Sequence, residues 1–156
     1  MNIGIVGIDM YFLARIYFSK EYFTILEIDD ESKYLKSFIE FYDTDLNSFF
    51  STGNIDPDKS EIKLYVLRNM TPAGVFICDK FDENTLEIRL DYAIPQYRDF
   101  KLGTYIFESQ VEFFTSKGFN KFVAHGDTPK HIKYLLKMGF KATSINNQKV
   151  YLKELK

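Results

Sequence analysis

The sequence predicts one mixed α/β domain of the α+β kind, in which helices flank a mostly antiparallel central sheet. Three observations support this fold class. Residues 61–94 contain three short β-rich segments joined by turns, which is typical of an antiparallel meander. Beyond residue 100, segments with helical spacing of apolar residues alternate with strand-like segments. No repeat or linker divides the 156 residues, a length that suits a single domain with its own core.

The chain before the meander predicts one strand and two helices. FTILEID, residues 23–29, is short and β-rich. ESKYLKSFIEFY, residues 31–42, carries apolar residues at helical spacing, and LNSFF, residues 46–50, is a second short helical piece. The Gly, Pro, Asn and Asp of residues 51–60 are typical of a loop.

The meander itself is predicted from three strands and two turns. The strands are EIKLYVLR (61–68), GVFICDK (74–80) and TLEIRLDYAI (85–94). NMTPAG and FDEN supply the turn residues between them. Cys78 lies on the middle strand, where a small buried hydrophobe is the ordinary role of a free cysteine.

The second half of the chain predicts two amphipathic helices and three strands. The first helix ends at Gly118, and its apolar residues are Ile106, Phe107, Val111, Phe113 and Phe114. The strand NKFVAH follows, and Thr128-Pro129 then predicts a helix start. Ile132, Leu135 and Leu136 are expected to form the buried stripe of that second helix, which ends at Gly139. FKATSI and KVYLKEL close the chain as a hairpin around NNQ.

Composition limits the classes of function. The net charge of -2 and the sequence pI of about 5.7 argue against a nucleic-acid partner, because binding to phosphates requires a basic surface. A single cysteine leaves no internal disulfide and fits a reducing, cytoplasmic compartment. With two histidines and one cysteine, no structural metal site is expected.

Residues 1–20 form an apolar extension ahead of the domain at residues 21–156. The extension is interrupted by Asp9 and Arg15, so it falls short of the clean apolar run of about 18 residues that a membrane span requires. We expect it to pack on the domain or on a second copy of it, as in a homodimer. The alternative is contact with a membrane surface.

The segment PQYRDFKLGTYIFE, residues 95–108, joins a predicted strand to a predicted helix. The first N–H groups of a helix have no partner within the helix and, with the helix dipole, can bind an anion. Gly103 allows close approach to the backbone, while Arg98 and Lys101 add positive charge. The composition therefore points to a phosphate site, with an ordinary turn as the alternative.

Residues 93–103 and 137–140 resemble the GNAT superfamily of acyl-CoA-dependent N-acyltransferases. The signature of that family, Arg/Gln-x-x-Gly-x-Gly/Ala between a strand and a helix, matches the segment from Arg98 to Gly103. The order of predicted elements from Phe23 to Leu155 also fits the family. Two positions depart from the family pattern: Lys101 replaces the first signature glycine, and Leu135 stands where many members have a tyrosine.

The resemblance implies acetyl-CoA as cosubstrate and no metal. It implies that the strand end from Tyr92 through Ala93 to Ile94 pairs with the pantetheine arm beside an opening in the sheet. The residues that would hold the pyrophosphate, chiefly through main-chain N–H groups, are Arg98, Leu102, Gly103, Thr104 and Tyr105. The side chain of Lys101 could reach the same phosphates.

An acyl transfer to an amine requires a base, because an alkylammonium has no free lone pair at neutral pH. Alternation along the strand predicts that Glu87, Arg89 and Asp91 share one face with Ala93. Asp91 is the first candidate for the base and Glu87 the second. The alternative is an arginine–carboxylate ladder on a solvated face of the sheet.

A main-chain N–H near Ala93 or Ile94 could stabilise the oxyanion. Tyr134 is the candidate proton donor to the sulfur, with His131 and Tyr105 as further candidates. The resemblance thus implies an N-acetyltransferase in which a small-molecule or peptide amine attacks the thioester directly. The alternative is a catalytically degenerate module that binds coenzyme A or that serves regulation or interaction with a partner protein.

Overall fold

A computed structural model describes residues 22–28, 33–50, 55–98 and 101–156. The expectation for the apolar extension at residues 1–20 lies outside the described residues. The first half contains β1 (Phe23–Glu27), α1 (Lys33–Phe41), α2 (Asp43–Leu46), β2 (Ile62–Arg68), β3 (Thr71–Lys80) and β4 (Thr85–Ala93). The second half contains α3 (Lys101–Thr104), a π-helical stretch (Tyr105–Ser109), α4 (Val111–Ser116), β5 (Lys121–Ala124), α5 (Pro129–Lys137), β6 (Lys141–Ile145) and β7 (Gln148–Glu154).

The described strands form one seven-stranded sheet in the order β1-β2-β3-β4-β5-β7-β6. Every neighbouring pair in this sheet is antiparallel except β4 and β5, which run parallel. Parallel neighbours need a crossover connection, and the helical segments between residues 101 and 116 supply it. The predicted fold class, a mostly antiparallel sheet flanked by helices, is confirmed.

The β2–β3 turn is tighter than the sequence predicted. Asn69 and Met70 both adopt positive φ (52° and 67°), as the two central residues of a mirror-image hairpin turn require. Strand β3 therefore begins at Thr71, and the prediction of a turn over 69–74 was wrong. A bulge between Val66 and Leu67 accommodates the change of register next to Pro72.

The helices after β4 also differ in detail from the predicted ones. The first begins at Lys101 and is interrupted by the π-helical stretch before it ends ahead of Gly118, whose φ is +97°. In α5, Leu135 is fully buried as expected, whereas Leu136 is 52% exposed and was wrongly assigned to the buried stripe. No helix among the described residues has the length and apolar composition needed to span a membrane.

The sheet separates two clusters of buried side chains. The larger cluster contains Phe76 of β3 together with Phe107, Phe114 and Leu135 from the helices that follow β4. The smaller cluster contains Ile77 and Leu90 with residues of α1 and α2. Phe76 and Ile77 are consecutive on β3 and so point to opposite faces, as the alternation of a strand requires. Helices thus cover both faces of the sheet.

Candidate active site

The sheet opens at the end of β4. Only Thr85–Glu87 of β4 pair with β5, so the strand continues for six further residues without that neighbour. On the other side, the Ile94 N–H donates to the Ala73 carbonyl at 2.9 Å. Hydrogen bonds of an antiparallel strand alternate between its two edges, so the N–H and C=O of Ala93 face the opening.

A cavity of about 260 Å³ lies at this opening. It receives side chains from both faces of the sheet and from the first turns of α5. Its lining residues are Phe49, Phe50, Asp91, Tyr92, Ala93, Tyr97, Arg98, Leu102, Gly103, Lys130, His131, Lys133 and Tyr134. A concave, mostly apolar site with aromatic side chains and a few convergent polar groups is typical of a small-molecule site.

Asp91 and Tyr134 form a hydrogen-bonded pair in the cavity wall. The Tyr134 hydroxyl donates to Asp91 Oδ2 at 2.7 Å. Burial raises the pKa of Asp91 from 3.8 to about 6, although the hydrogen bond from Tyr134 lowers it. Burial and the neighbouring carboxylate raise the pKa of Tyr134 well above its usual value, so its hydroxyl remains protonated at neutral pH. The pair therefore places an ionisable carboxylate and a hydroxyl donor side by side.

Glu87 does not reach this cavity, and the predicted shared face was wrong. The β3–β4 register pairs Cys78 with Ile88 but Ile77 with Leu90, which leaves Arg89 as an extra residue in a β-bulge. After the bulge, Asp91 lies opposite Phe76, whereas Glu87 lies opposite Asp79 on the other face.

Glu87 and Arg89 make side-chain contacts away from the cavity. His125 Nε2 is 2.8 Å from Glu87 Oε2, and Arg89 Nη1 is 3.4 Å from Asp79 Oδ2. The predicted alternative, a ladder of Arg89 with Glu87 and Asp91, is not formed as predicted, because Arg89 contacts Asp79 of β3 and Glu87 contacts His125. Asp91 is separate from both contacts.

The Arg98 side chain turns back onto the end of β4. Its Nε and Nη2 donate to the Ala93 carbonyl at 3.1 and 2.6 Å, and Nη2 also donates to Asp45 Oδ2 at 2.6 Å. The Tyr92 hydroxyl donates to the same Asp45 oxygen. The Arg98 hydrogen bond is the main reason that the pKa of Asp45 lies below its usual value. Of the two main-chain groups of Ala93 that face the opening, the carbonyl is thus hydrogen-bonded to Arg98 and the N–H is not.

Gly103 lies where helices α3 and α5 approach each other closely. A Cβ at this position would lie 2.3 Å from the Tyr134 hydroxyl and 2.8 Å from Met138 Sδ. The absence of a side chain therefore lets α5 pack against α3 and holds Tyr134 at the cavity. Leu102 lines the cavity beside it, and both residues are buried.

Four residues implied as cofactor ligands lie outside the cavity lining: Ile94, Lys101, Thr104 and Tyr105. The Ile94 N–H is engaged with Ala73, so of the two N–H groups predicted to stabilise the oxyanion, that of Ala93 is the one that faces the opening. The Tyr105 ring stacks on Phe23 with centroids 5.3 Å apart, so this tyrosine is not placed to protonate a leaving group in the cavity.

His131 lies in the cavity wall one turn before Tyr134. Its main-chain N–H donates to the N-cap Thr128, and its ring packs on Phe50 with centroids 4.6 Å apart. Burial lowers the pKa of His131 to about 4, so the imidazole is neutral at physiological pH. A neutral imidazole can donate a hydrogen bond but is not a reservoir of acidic protons for a leaving thiolate.

Sequence reasoning missed part of the cavity wall. Phe49 and Phe50, from the segment after α2, line the cavity, and Asp45 of α2 holds the lining residues Tyr92 and Arg98 from behind. Lys130 and Lys133 fit the solvated face of α5, yet both line the cavity. The adjacent aromatic pair Phe49-Phe50 was the available signal. Among the described residues, no three His, Cys, Asp or Glu side chains group as metal ligands.

Comparisons with known proteins bear on the fold. Neither a protein-family model nor a curated protein sequence matches the chain. Several solved structures do. An acetyltransferase of the GNAT family from Staphylococcus aureus has a TM-score of 0.61 at 14% identity, over 86% of this chain and 100% of that one. An acetyltransferase from Salmonella typhimurium that modifies the N-terminal serine of a 50S ribosomal subunit protein has a TM-score of 0.64 at 8% identity, over 86% of this chain and 95% of that one.

N-acetylglutamate synthase from Neisseria gonorrhoeae, in complex with coenzyme A and N-acetyl-glutamate, has a TM-score of 0.62 at 11% identity. The match covers 86% of this chain but only 35% of the longer synthase. At these identities the likeness concerns the fold. The resemblance predicted from the signature is confirmed at that level: the chain has the fold of the GNAT acyl-CoA N-acyltransferases.

Proposed function

We propose that the protein is an N-acetyltransferase that transfers an acetyl group from acetyl-CoA to an amine on a small molecule or a peptide. The observation that carries the proposal is Asp91, a carboxylate with a pKa of about 6, in a cavity at the open edge of β4. A base of this pKa is ionised at neutral pH and still accepts a proton. The fold supports the proposal because the neighbours described above are acetyltransferases.

The cosubstrate would lie along the open edge of β4. Its pantetheine arm would take the place of a further strand, using the Ala93 N–H that faces the opening. The Ala93 carbonyl is covered by the Arg98 guanidinium, so an amide of the arm would have to displace Arg98 to reach that carbonyl. The pyrophosphate would bind near the main-chain N–H groups from Leu102 to Tyr105, where the chain turns into α3.

The bound thioester would supply the acetyl group and the leaving thiolate. Asp91 would take the proton from the attacking amine as the new C–N bond forms and the C–S bond breaks. The Ala93 N–H would donate to the oxygen that gains charge. Because Glu87 lies on the other face of the sheet, Asp91 is the carboxylate that we assign to this step.

Tyr134 would donate the proton to the leaving thiolate, a role that Leu135 cannot fill. Leu135 is fully buried and has no proton to give, whereas Tyr134, one residue earlier, has its hydroxyl in the cavity wall. Tyr134 would pass its proton to the thiolate while the proton that Asp91 has received moves to the tyrosine oxygen, 2.7 Å away. No proton is lost or gained over the cycle, since the amine proton ends on the thiol.

Steady-state assays with acetyl-CoA and a panel of primary amines and amino-terminal peptides test this function. We expect release of the coenzyme A thiol and formation of the N-acetyl product with at least one class of acceptor. Asp91→Asn should remove most of the turnover and leave acetyl-CoA binding in place. If the protein binds acetyl-CoA and transfers nothing across the panel, the binding-module alternative replaces this proposal.

A further inference from the structure

The imidazole of His131 carries a hydrogen-bond donor that is not used. His131 is 4% exposed, and its Nε2 has no hydrogen-bond partner among the described residues. The other ring nitrogen, Nδ1, accepts from the Asp127 main-chain N–H at 3.5 Å, which assigns the ring proton to Nε2. The Phe50 ring lies against the imidazole, but an aromatic face is a weaker acceptor than an oxygen.

A buried donor without a partner costs free energy, which a ligand oxygen in hydrogen-bond range would recover. His131 lines the cavity while its Nε2 is enclosed in the ligand-free structure, so an occupant of the cavity would pair with Nε2 after a small rotation of the imidazole ring. Lysine or ammonium groups cannot serve, because they are donors only. The donor therefore selects an occupant with an accepting oxygen.

The position of His131 indicates which occupant this is. His131 and Tyr134 are three residues apart on α5 and so face the same side of the helix. The Tyr134 hydroxyl contacts Asp91 at the open edge of β4, and it lies 2.3 Å from the position that a Cβ of Gly103 would take. This wall runs from the turn assigned to the phosphates to the β4 edge, which is the path of the cosubstrate in the function proposed above.

We propose that His131 Nε2–H donates a hydrogen bond to a carbonyl oxygen of bound acyl-CoA, which makes His131 a specificity-determining residue of the cosubstrate site. This inference rests on the proposed function. An acyl-CoA carries suitable oxygens in the amide carbonyls of its pantetheine arm and in its thioester carbonyl. Free coenzyme A has the amides and lacks the thioester, so the two ligands distinguish the two sources.

Calorimetric titrations with coenzyme A and acetyl-CoA test the inference on the wild type, His131→Phe and His131→Gln. Phenylalanine keeps a ring against Phe50 without the donor, and glutamine returns an N–H near the position of Nε2. We expect His131→Phe to weaken binding by about threefold to tenfold, the usual range for one lost neutral hydrogen bond. His131→Gln should restore most of that loss.

The comparison of the two ligands identifies the carbonyl oxygen that accepts the hydrogen bond from His131. A loss confined to acetyl-CoA assigns the thioester carbonyl, and an equal loss for both ligands assigns a pantetheine amide. The melting temperature of ligand-free His131→Phe should change little, because removal of the unpaired Nε2 donor offsets the loss of the long contact between Nδ1 and the Asp127 N–H. Wild-type affinity in His131→Phe overturns the inference while the proposed function stands. A lower ligand-free melting temperature without rescue of binding by His131→Gln overturns it in favour of a structural role. If the wild type binds neither ligand, both proposals fail.

Discussion

Replacement of Asp91 by asparagine tests the assignment of the base at the open edge of β4. The amide has nearly the size of the carboxylate and can still accept a hydrogen bond from Tyr134, so the fold should be retained. It cannot take a proton from an amine. A positioned general base contributes about 10²- to 10⁴-fold, and we expect kcat/KM of Asp91→Asn to fall within that range.

The pH dependence of kcat/KM shows how large a share of the rate depends on the ionised Asp91 carboxylate. With a pKa of about 6 for Asp91, the ionised fraction is about nine-tenths at pH 7 and about one-tenth at pH 5. The base form is therefore lost as pH falls through 6, and kcat/KM should fall about tenfold between these two pH values from this cause alone. The unprotonated fraction of an alkylamine acceptor, whose pKa is near 10.4, also rises tenfold with each pH unit over the whole range from pH 5 to pH 9.

The assay is the release of the coenzyme A thiol at acceptor concentrations below KM, from pH 5 to pH 9. For the wild type, log kcat/KM should rise with a slope of about two below pH 6 and about one above it, whereas Asp91→Asn should show a slope of about one throughout. Glu87→Gln is the matched control, since it makes the same carboxyl-to-amide change on the other face of β4. A fall in Glu87→Gln as large as that in Asp91→Asn, or a bend near pH 6 that persists in Asp91→Asn, would refute the assignment.

Three further changes follow from contacts in and beside the cavity. Tyr134→Phe removes the hydrogen bond that lowers the pKa of Asp91, so the bend in the pH profile should move above pH 6; an unmoved bend would contradict the pairing. Gly103→Ala should lower kcat more than Gly118→Ala, because a methyl at residue 103 meets the Tyr134 hydroxyl. A methyl at residue 118 meets no atom of the described residues within 4 Å, and only its positive φ is strained. Equal kcat values in the two variants would contradict this. Asp45→Asn should lower the melting temperature at pH 7 through loss of its pair with Arg98. Since that pair holds the pKa of Asp45 below 3.8, the difference should be full above pH 3.8 and should close as pH falls further, and a difference that persists in acid would contradict the contact.

Much of the fold could be predicted because its signals are local. The turn residues between the strands, the proline after Thr128 and the glycines at 118 and 139 all mark element boundaries through backbone preferences. The side chain of Thr128 accepts from the His131 N–H, as an N-cap does. The turn at 69–70 was assigned too many residues, because Asn69 and Met70 alone adopt the positive φ that the hairpin needs.

The candidate site was less accessible to sequence reasoning because it depends on one backbone irregularity. Alternation along TLEIRLDYAI places residues 87, 89 and 91 on one face, and it holds only for a strand of unbroken register. The bulge at Arg89 reverses the face of every later residue of β4, so Asp91 enters the cavity and Glu87 does not. A bulge leaves little trace in composition, and the sequence offered no turn residue to mark this one.

Contacts across long separations were also beyond the sequence. Arg98 was expected to add positive charge to a phosphate site, yet its guanidinium pairs with Asp45, 53 residues away, and with the Ala93 carbonyl. His131 was considered as a proton donor, and its burial makes it a neutral hydrogen-bond donor instead. Such roles depend on which elements pack together, and neither periodicity nor spacing contains that information.

The most direct test of the central claim is a titration of the isotope-labelled protein with acetyl-CoA, monitored by amide chemical shifts. If acyl-CoA binds at the open edge of β4, the amides of Ala93 and of Leu102–Tyr105 should shift together and saturate with a single dissociation constant. Amides of Lys141 and Thr143, on the distant strand β6, should not move. Shifts confined to β6, or none at millimolar ligand, would contradict the account.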